Sequence, residues 1–195
     1  VATLTTLLGP TLLRQHGVLT VAQARRLGLG PGIERRWRRD GLLERLPGGV
    51  LVATWVPVTW QQRVLVVALA HRELVLSHGT AARLHGLPGF AAHDAVEVMV
   101  ALPRSAGAAA GAVVHRSRGL TDADVLRIGP APVLTVPATL VSIAGAAEPE
   151  HLAAAVAAAV GAGTGPDEIR ATALRWRRRG RSGPARVLAA LDRVA

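Results

Sequence analysis

The sequence contains no cysteine, no lysine and no tyrosine, and a single phenylalanine among its 195 residues. Without cysteine there are no disulfide staples, thiolate zinc sites, iron–sulfur clusters or cysteine nucleophiles, and the absence fits a reducing cytoplasm. Without lysine the phosphate-binding Gly-x-x-x-x-Gly-Lys loop cannot be built, which closes that route to nucleotide hydrolysis. Long apolar runs are missing too. Val64–Ala70 and Leu152–Val160 fall well short of the roughly 20 residues that span a bilayer, so no membrane is expected as a partner. Val1–Leu13 has no basic residue ahead of its apolar stretch and does not read as a signal peptide.

What is present is a half-apolar composition, sufficient for a packed core, and a formal net charge of +10 carried wholly by arginine on the basic side. Arginine offers a planar donor fork suited to phosphate and to guanine edges. The positive surplus lies at the two ends. Residues 1–56 hold eight arginines against Glu34, Asp40 and Glu44. Residues 165–195 hold eight against Asp167, Glu168 and Asp192, while the middle is neutral. Polyanion binding at one or both ends needs such a distribution.

The chain reads as α+β in two small domains, a winged helix over residues 1–56 and a mixed domain of helices around a small sheet over 57–195. In the first, Pro10 opens a short helix and Thr20-x-x-Gln23 forms a capping box ahead of a second. Gly28-Leu29-Gly30 breaks the second helix, and Pro31 starts a third that ends at Asp40-Gly41. Leu43–Leu46 and Val50–Ala53 form a hairpin about Pro47-Gly48-Gly49. Downstream, a second capping box is expected at Thr59-x-x-Gln62, Ser77 caps a short helix over Gly79–His85, and Ala95–Leu102, Val113–Arg116 and Val125–Ile128 are strands. Helices follow over Pro137–Gly145 and His151–Val160, from Gly165 to about Arg179, and after Pro184.

Functional residues are expected on the third helix. Ile33 and Trp37, four apart, share a face that should be buried, which places Arg35, Arg38 and Arg39 outward and Arg36 on the flank. A short helix presenting arginines, following a helix and a tight turn and preceding a Gly-tipped hairpin, is what major-groove docking needs. Arg45 at the hairpin base and the Gly48-Gly49 backbone are the expected phosphate contacts. A second basic cluster, Arg175, Arg177, Arg178, Arg179 and Arg181, surrounds Trp176; it reads either as a solvated helix end or as extra contacts to phosphate or to an acidic partner.

Four stretches resemble a known family. They are Gln15-His-Gly-Val-Leu-Thr20 leading into Ala22-Gln23, Gly41-Leu-Leu-Glu-Arg-Leu46, Leu76-Ser-His-Gly-Thr-Ala-Ala-Arg-Leu-His-Gly-Leu87 and Val114-His-Arg-Ser117. Together they look like the AbiEi antitoxin family of actinobacteria. The resemblance implies a transcriptional autoregulator whose winged helix binds double-stranded DNA at the operator of its own operon. It also implies a following domain that supports antitoxin action against a nucleotidyltransferase-like toxin. Longer relatives continue into a domain similar to very-short-patch repair endonucleases, so the non-catalytic front part of such a protein is the alternative. The chain departs from the family at the wing, where Gly48-Gly-Val-Leu51 replaces an Arg-Gly-Val-Tyr type ending.

Catalytic and metal readings find little local support. His78 and His85 would lie about 10 Å apart along one helix, at about 1.5 Å per residue, too far to share an ion. No glutamate stands at metalloprotease spacing, so the histidines are expected to be structural or solvent-facing, with no metal or other cofactor. Ser77 and His78 should point in different directions at a helix start, and no Gly-x-Ser-x-Gly elbow exists. The chain is therefore expected to bind rather than to catalyse.

Overall fold

The computed structural model describes residues 2–103, 109 and 111–194, and the chain divides into two compact units after Arg72. The architecture is α+β. The first unit comprises α1 (Ala2–Arg14), β1 (Val18–Thr20), α2 (Val21–Arg26), α3 (Pro31–Arg39), β2 (Leu43–Leu46), a 3-10 turn (Pro47–Gly49), β3 (Val50–Ala53) and α4 (Trp60–Ala70). Leu8 and Leu12 are buried one turn apart and flank Pro10, so α1 begins eight residues before the proline that the sequence reading places at its start. Burial of that stripe outweighs the missing amide hydrogen. Thr20 and Gln23 form the expected capping box on α2. Gly28, at φ +91°, then turns the chain, and Pro31 opens α3 at its first position.

In the first sheet β3 lies between β1 and β2, antiparallel to both, and the β2–β3 hairpin has the expected bounds. Beneath it Leu8, Leu12, Leu19, Leu29, Trp37, Leu43 and Leu51 form one core. Helix α4, assigned from the sequence to the second domain, belongs to this unit. Thr59 caps it by accepting from the Gln62 amide. The Gln62 side chain, expected to complete a capping box, instead donates to the His16 carbonyl at 3.0 Å.

The second unit comprises β4 (Val75–Leu76), α5 (His78–Leu84), β5 (Glu97–Ala101), β6 (Val113–Ser117), a 3-10 turn (Asp122–Asp124), β7 (Val125–Ile128), β8 (Ala131–Leu134), α6 (Val136–Ile143), α7 (Pro149–Gly161), α8 (Pro166–Arg175) and α9 (Gly183–Leu191). Its sheet runs β6-β5-β4-β8-β7 and is mixed: β5 pairs parallel with β6 and β4 with β8, while β4–β5 and β7–β8 are antiparallel. Helix α5 packs on β5, and α6 to α9 pack on one another. Among the described residues no helix is long and apolar enough to cross a membrane.

A tip glycine of the hairpin has a packing role. A Cβ on Gly48 would stand 2.4 Å from the Ala70 carbonyl oxygen and 2.6 Å from its Cα, whereas one on Gly49 would meet nothing within 4 Å; both residues have φ +72°. Gly49→Ala should therefore cost about 1–2 kcal/mol for the left-handed backbone alone. Gly48→Ala should cost about 1–3 kcal/mol beyond that, because two backbones must part. Urea unfolding of the two full-length variants measures the difference, and equal midpoints would refute the packing role.

Candidate nucleic-acid interface

The inward face of α3 is made by Trp37 and Glu34, 8% and 5% exposed, and not by Ile33, which is 40% exposed. This corrects the pairing of Ile33 with Trp37. A carboxylate takes the inner position because a cation reaches it: Arg45 on β2 donates from Nη1 to Glu34 Oε1 at 3.2 Å. A buried charge without such a partner would be strongly destabilising. Arg45, expected to contact phosphate, is thus the internal counter-ion of α3. Gly48, expected with Gly49 to bring its backbone to phosphate, is exposed, although a Cβ there would meet Ala70, whereas one on Gly49 would meet nothing within 4 Å.

Arg35, Arg36, Arg38 and Arg39 are all exposed, as expected. Arg36 and Arg39 each approach Asp40, Nε to carboxylate at 3.6 and 3.8 Å, in pairs open to water and therefore weak. Arg35 and Arg38 have no hydrogen-bond or ion-pair partner among the described residues. Between α3 and β2 runs a shallow groove of about 450 Å³ lined by Arg35, Arg38, Arg39, Leu43, Glu44 and Arg45. Four guanidinium groups border it against one exposed carboxylate.

The second basic cluster is dispersed. Helix α8 stops at Arg175 rather than near Arg179, and Arg175 turns inward to grip the fully buried Asp124 with both terminal nitrogens, at 2.6 and 2.9 Å. Arg178 donates to the carbonyls of Arg175 and Arg177 at the end of that helix, and Arg181 to the Arg116 carbonyl at 3.4 Å. Arg177 and Arg179 stay exposed with no partner among the described residues.

A constellation absent from the sequence reading lies in the second unit. Glu97 Oε1 and His115 Nε2 are 3.0 Å apart, and Glu97 Oε2 accepts from the Gly79 amide at 2.8 Å. His93 Nε2 lies 3.0 Å from the same Oε2, close enough for an ion pair but off the hydrogen-bond line. The imidazoles of His78 and His115 stack with centroids 3.6 Å apart. Ser77, expected to cap α5 with its hydroxyl, places Oγ 3.0 Å from His78 Nδ1, a contact between neighbours that the φ of +47° at His78 permits. Burial, reinforced by His115 and Arg181 against the pull of Glu97, lowers the His78 pKa to about 4. Burial would raise Glu97, but hydrogen bonds from His115 and Gly79 hold it below the ordinary carboxylate range. His85 donates from Nε2 to the Leu134 carbonyl at 2.7 Å, a structural role as expected.

Neither a family model nor a curated protein matches this chain. Among solved structures, the RV2827C protein from Mycobacterium tuberculosis is similar, with a TM-score of 0.51 and 17% identity, covering 99% of this chain and 82% of that one. At that identity the likeness concerns the fold.

The Asp124–Arg175 pair yields a stability test. Burial would raise the Asp124 carboxyl, but hydrogen bonds from Arg175 and Thr121 overcome it and hold the pKa below its usual value. Since the folded value lies under the unfolded one of about 3.9, the contribution is complete at neutral pH and is lost as pH falls below about 4. Arg175→Ala should destabilise the protein by about 3 kcal/mol at pH 7, the lower end for orphaning a buried charge because Arg175 is itself part exposed. The deficit relative to wild type should shrink in urea melts at pH 3; a deficit unchanged with pH would show that the pair does not carry it.

Proposed function

We propose that the first unit is a winged-helix DNA-binding domain whose recognition helix is α3, in a protein that regulates its own operon and acts as an antitoxin of the AbiEi type. The observation that carries the DNA reading is the pair Arg35 and Arg38, exposed on the outer face of a helix fixed by Trp37 and Glu34 and without a hydrogen-bond or ion-pair partner among the described residues. Supporting it are the helix–turn–helix formed by α2 and α3, the antiparallel hairpin directly after α3, and the basic groove between them. A guanidinium held outward without an internal partner loses little protein contact when it meets phosphate or a guanine edge.

In this reading Arg35 and Arg38 enter the groove of the duplex, and Arg36 and Arg39, released from Asp40, meet the flanking phosphates. The Gly48 and Gly49 amides are the backbone donors at the hairpin tip. The antitoxin part rests on the stretches Leu76–Leu87 and Val114–Ser117, and its expected partner is a nucleotidyltransferase-like toxin. Of the second basic cluster, Arg177 and Arg179 are the side chains left exposed without a partner among the described residues, open to a partner of acidic surface. A cytoplasmic location follows from the operator-binding role.

Fluorescence anisotropy with labelled duplex from the gene's own upstream region tests the proposal. Neutralising about four to six phosphates gives a log affinity against log salt slope near −4 to −5. Arg35→Ala and Arg38→Ala should each weaken specific binding by about 1–3 kcal/mol if they read bases, and Arg36→Ala should flatten the slope by about one. Arg45→Gln should lower the unfolding midpoint and leave the slope in place. A slope near zero on any duplex would end the DNA reading.

A further inference from the structure

Three side chains from three separated stretches of the second unit converge on one point. His78 opens α5, Glu97 opens β5 and His115 lies in the middle of β6; one potential ligand atom of each stands within 4.8 Å of the other two. We propose that His78, Glu97 and His115 form a binding site for a divalent transition ion of the zinc class. The site is independent of the DNA reading and belongs to a different unit.

Two imidazole nitrogens and one carboxylate oxygen are a donor set that zinc accepts in open sites, with a fourth position left to water. Ligand atoms about 2.1 Å from a tetrahedral ion stand about 3.4 Å from one another. His115 Nε2 and Glu97 Oε1, at 3.0 Å, are already near that spacing. Glu97 and His78 are oriented from behind, as metal ligands are. Glu97 has Oε2 fixed by the Gly79 amide and faced by His93, which leaves Oε1 for the ion. His78 has Nδ1 against Ser77 Oγ, so a proton on Nδ1 donated to that hydroxyl frees the Nε2 lone pair. Glycine at 79 is required by the arrangement, because a Cβ there would stand 2.4 Å from the His93 ring. The left-handed φ of +47° at His78 is strain of the kind that collects at ligand sites. Burial keeps His78 neutral at pH 7, the form in which imidazole ligates.

Loading requires one movement. The stacked rings lie with their planes 25° apart, so their in-plane lone pairs run side by side instead of meeting. The ion therefore splays them. His78 is held by Ser77, whereas the His115 side chain is 32% exposed and has room to turn. The fourth ligand has space in the pocket of about 270 Å³ that His78 lines with Ser142, Trp176 and Arg181, and Arg181 favours an anionic donor there.

The test uses the full chain, stripped with a chelator and titrated first with Co²⁺ and then with Zn²⁺. One ion per chain is expected, with the visible bands of low-coordinate Co²⁺ that Zn²⁺ abolishes. Glu97→Gln and His115→Ala should weaken binding by more than about 100-fold, beyond the roughly 10–100-fold expected for the outer partner in Ser77→Ala. His151→Ala, exposed on α7, should leave it unchanged. Absence of stoichiometric binding by the wild type, or equal affinity in Glu97→Gln, overturns the proposal. Should the variants fail to fold, the wild type decides: in a long-range ¹H–¹⁵N spectrum one equivalent of Zn²⁺ should bring nitrogens of two of the seven imidazoles to metal-ligated shifts. Any other number overturns it.

Discussion

Glu34 sits on the inward face of a nine-residue helix, and stripping water from its carboxylate would cost several kcal/mol if nothing replaced it. Arg45 replaces it from β2, eleven residues on in the chain, at 3.2 Å. That contact ties the helix to the hairpin that follows, while Trp37 ties it to the core beneath the first sheet. With both inward positions taken, Arg35 and Arg38 have no carboxylate partner among the described residues, and Asp40 at the helix end holds Arg36 and Arg39 only through water-exposed contacts. The charge presented on the outer face is therefore a consequence of the charge neutralised on the inner one.

The second unit repeats the logic. Asp124 is buried where the turn before β7 closes, capped by the Thr121 hydroxyl and amide, and Arg175 at the end of α8 reaches it with two short hydrogen bonds. Each basic cluster thus contributes one arginine inward, Arg45 and Arg175. Arg178 turns to carbonyls left open at the helix end, where a cation is favoured. A count of arginines along the sequence measures how much positive charge each end carries and is silent on how much of it a partner meets.

Local signals were legible. The Thr20–Gln23 capping box, Pro31 at the start of α3 and the bounds of β2 and β3 all emerge as expected, because each is decided within four or five residues. The inward residue of α3 was not, since amphipathic reasoning places the apolar Ile33 inside and no spacing shows that Arg45 will reach Glu34. Gly48 likewise gives no sign in the sequence that Ala70 occupies the space its side chain would fill. The strands β1, β4 and β8 escaped notice because β1 and β4 span only three and two residues and β8 holds Pro132, a residue that argues against a strand. His78, Glu97 and His115 escaped it because they are far apart in the chain and share no helical spacing. Glu97 and His115 meet through the parallel register of β5 with β6, in which Met99 faces His115 and Glu97 stands two residues before Met99, and His78 reaches them from the start of α5.

Contacts to the start of β5 also explain, residue by residue, the stretch that most resembles a family. Ser77 donates its amide to the Glu97 carbonyl and its hydroxyl meets His78. Thr80 donates its hydroxyl to the Ala95 carbonyl and accepts from the Glu97 amide, so it fastens α5 to the start of β5. His78 then stacks on His115 from the other resembling stretch, Val114–Ser117. The two stretches are one spatial unit whose residue types are set by the polar groups at the start of β5, Glu97 above all. A family likeness carried by these residues is consequently a statement about the interior of the second unit. The DNA reading stands apart from it, on the outer face of α3 and the charge balance that keeps that face free.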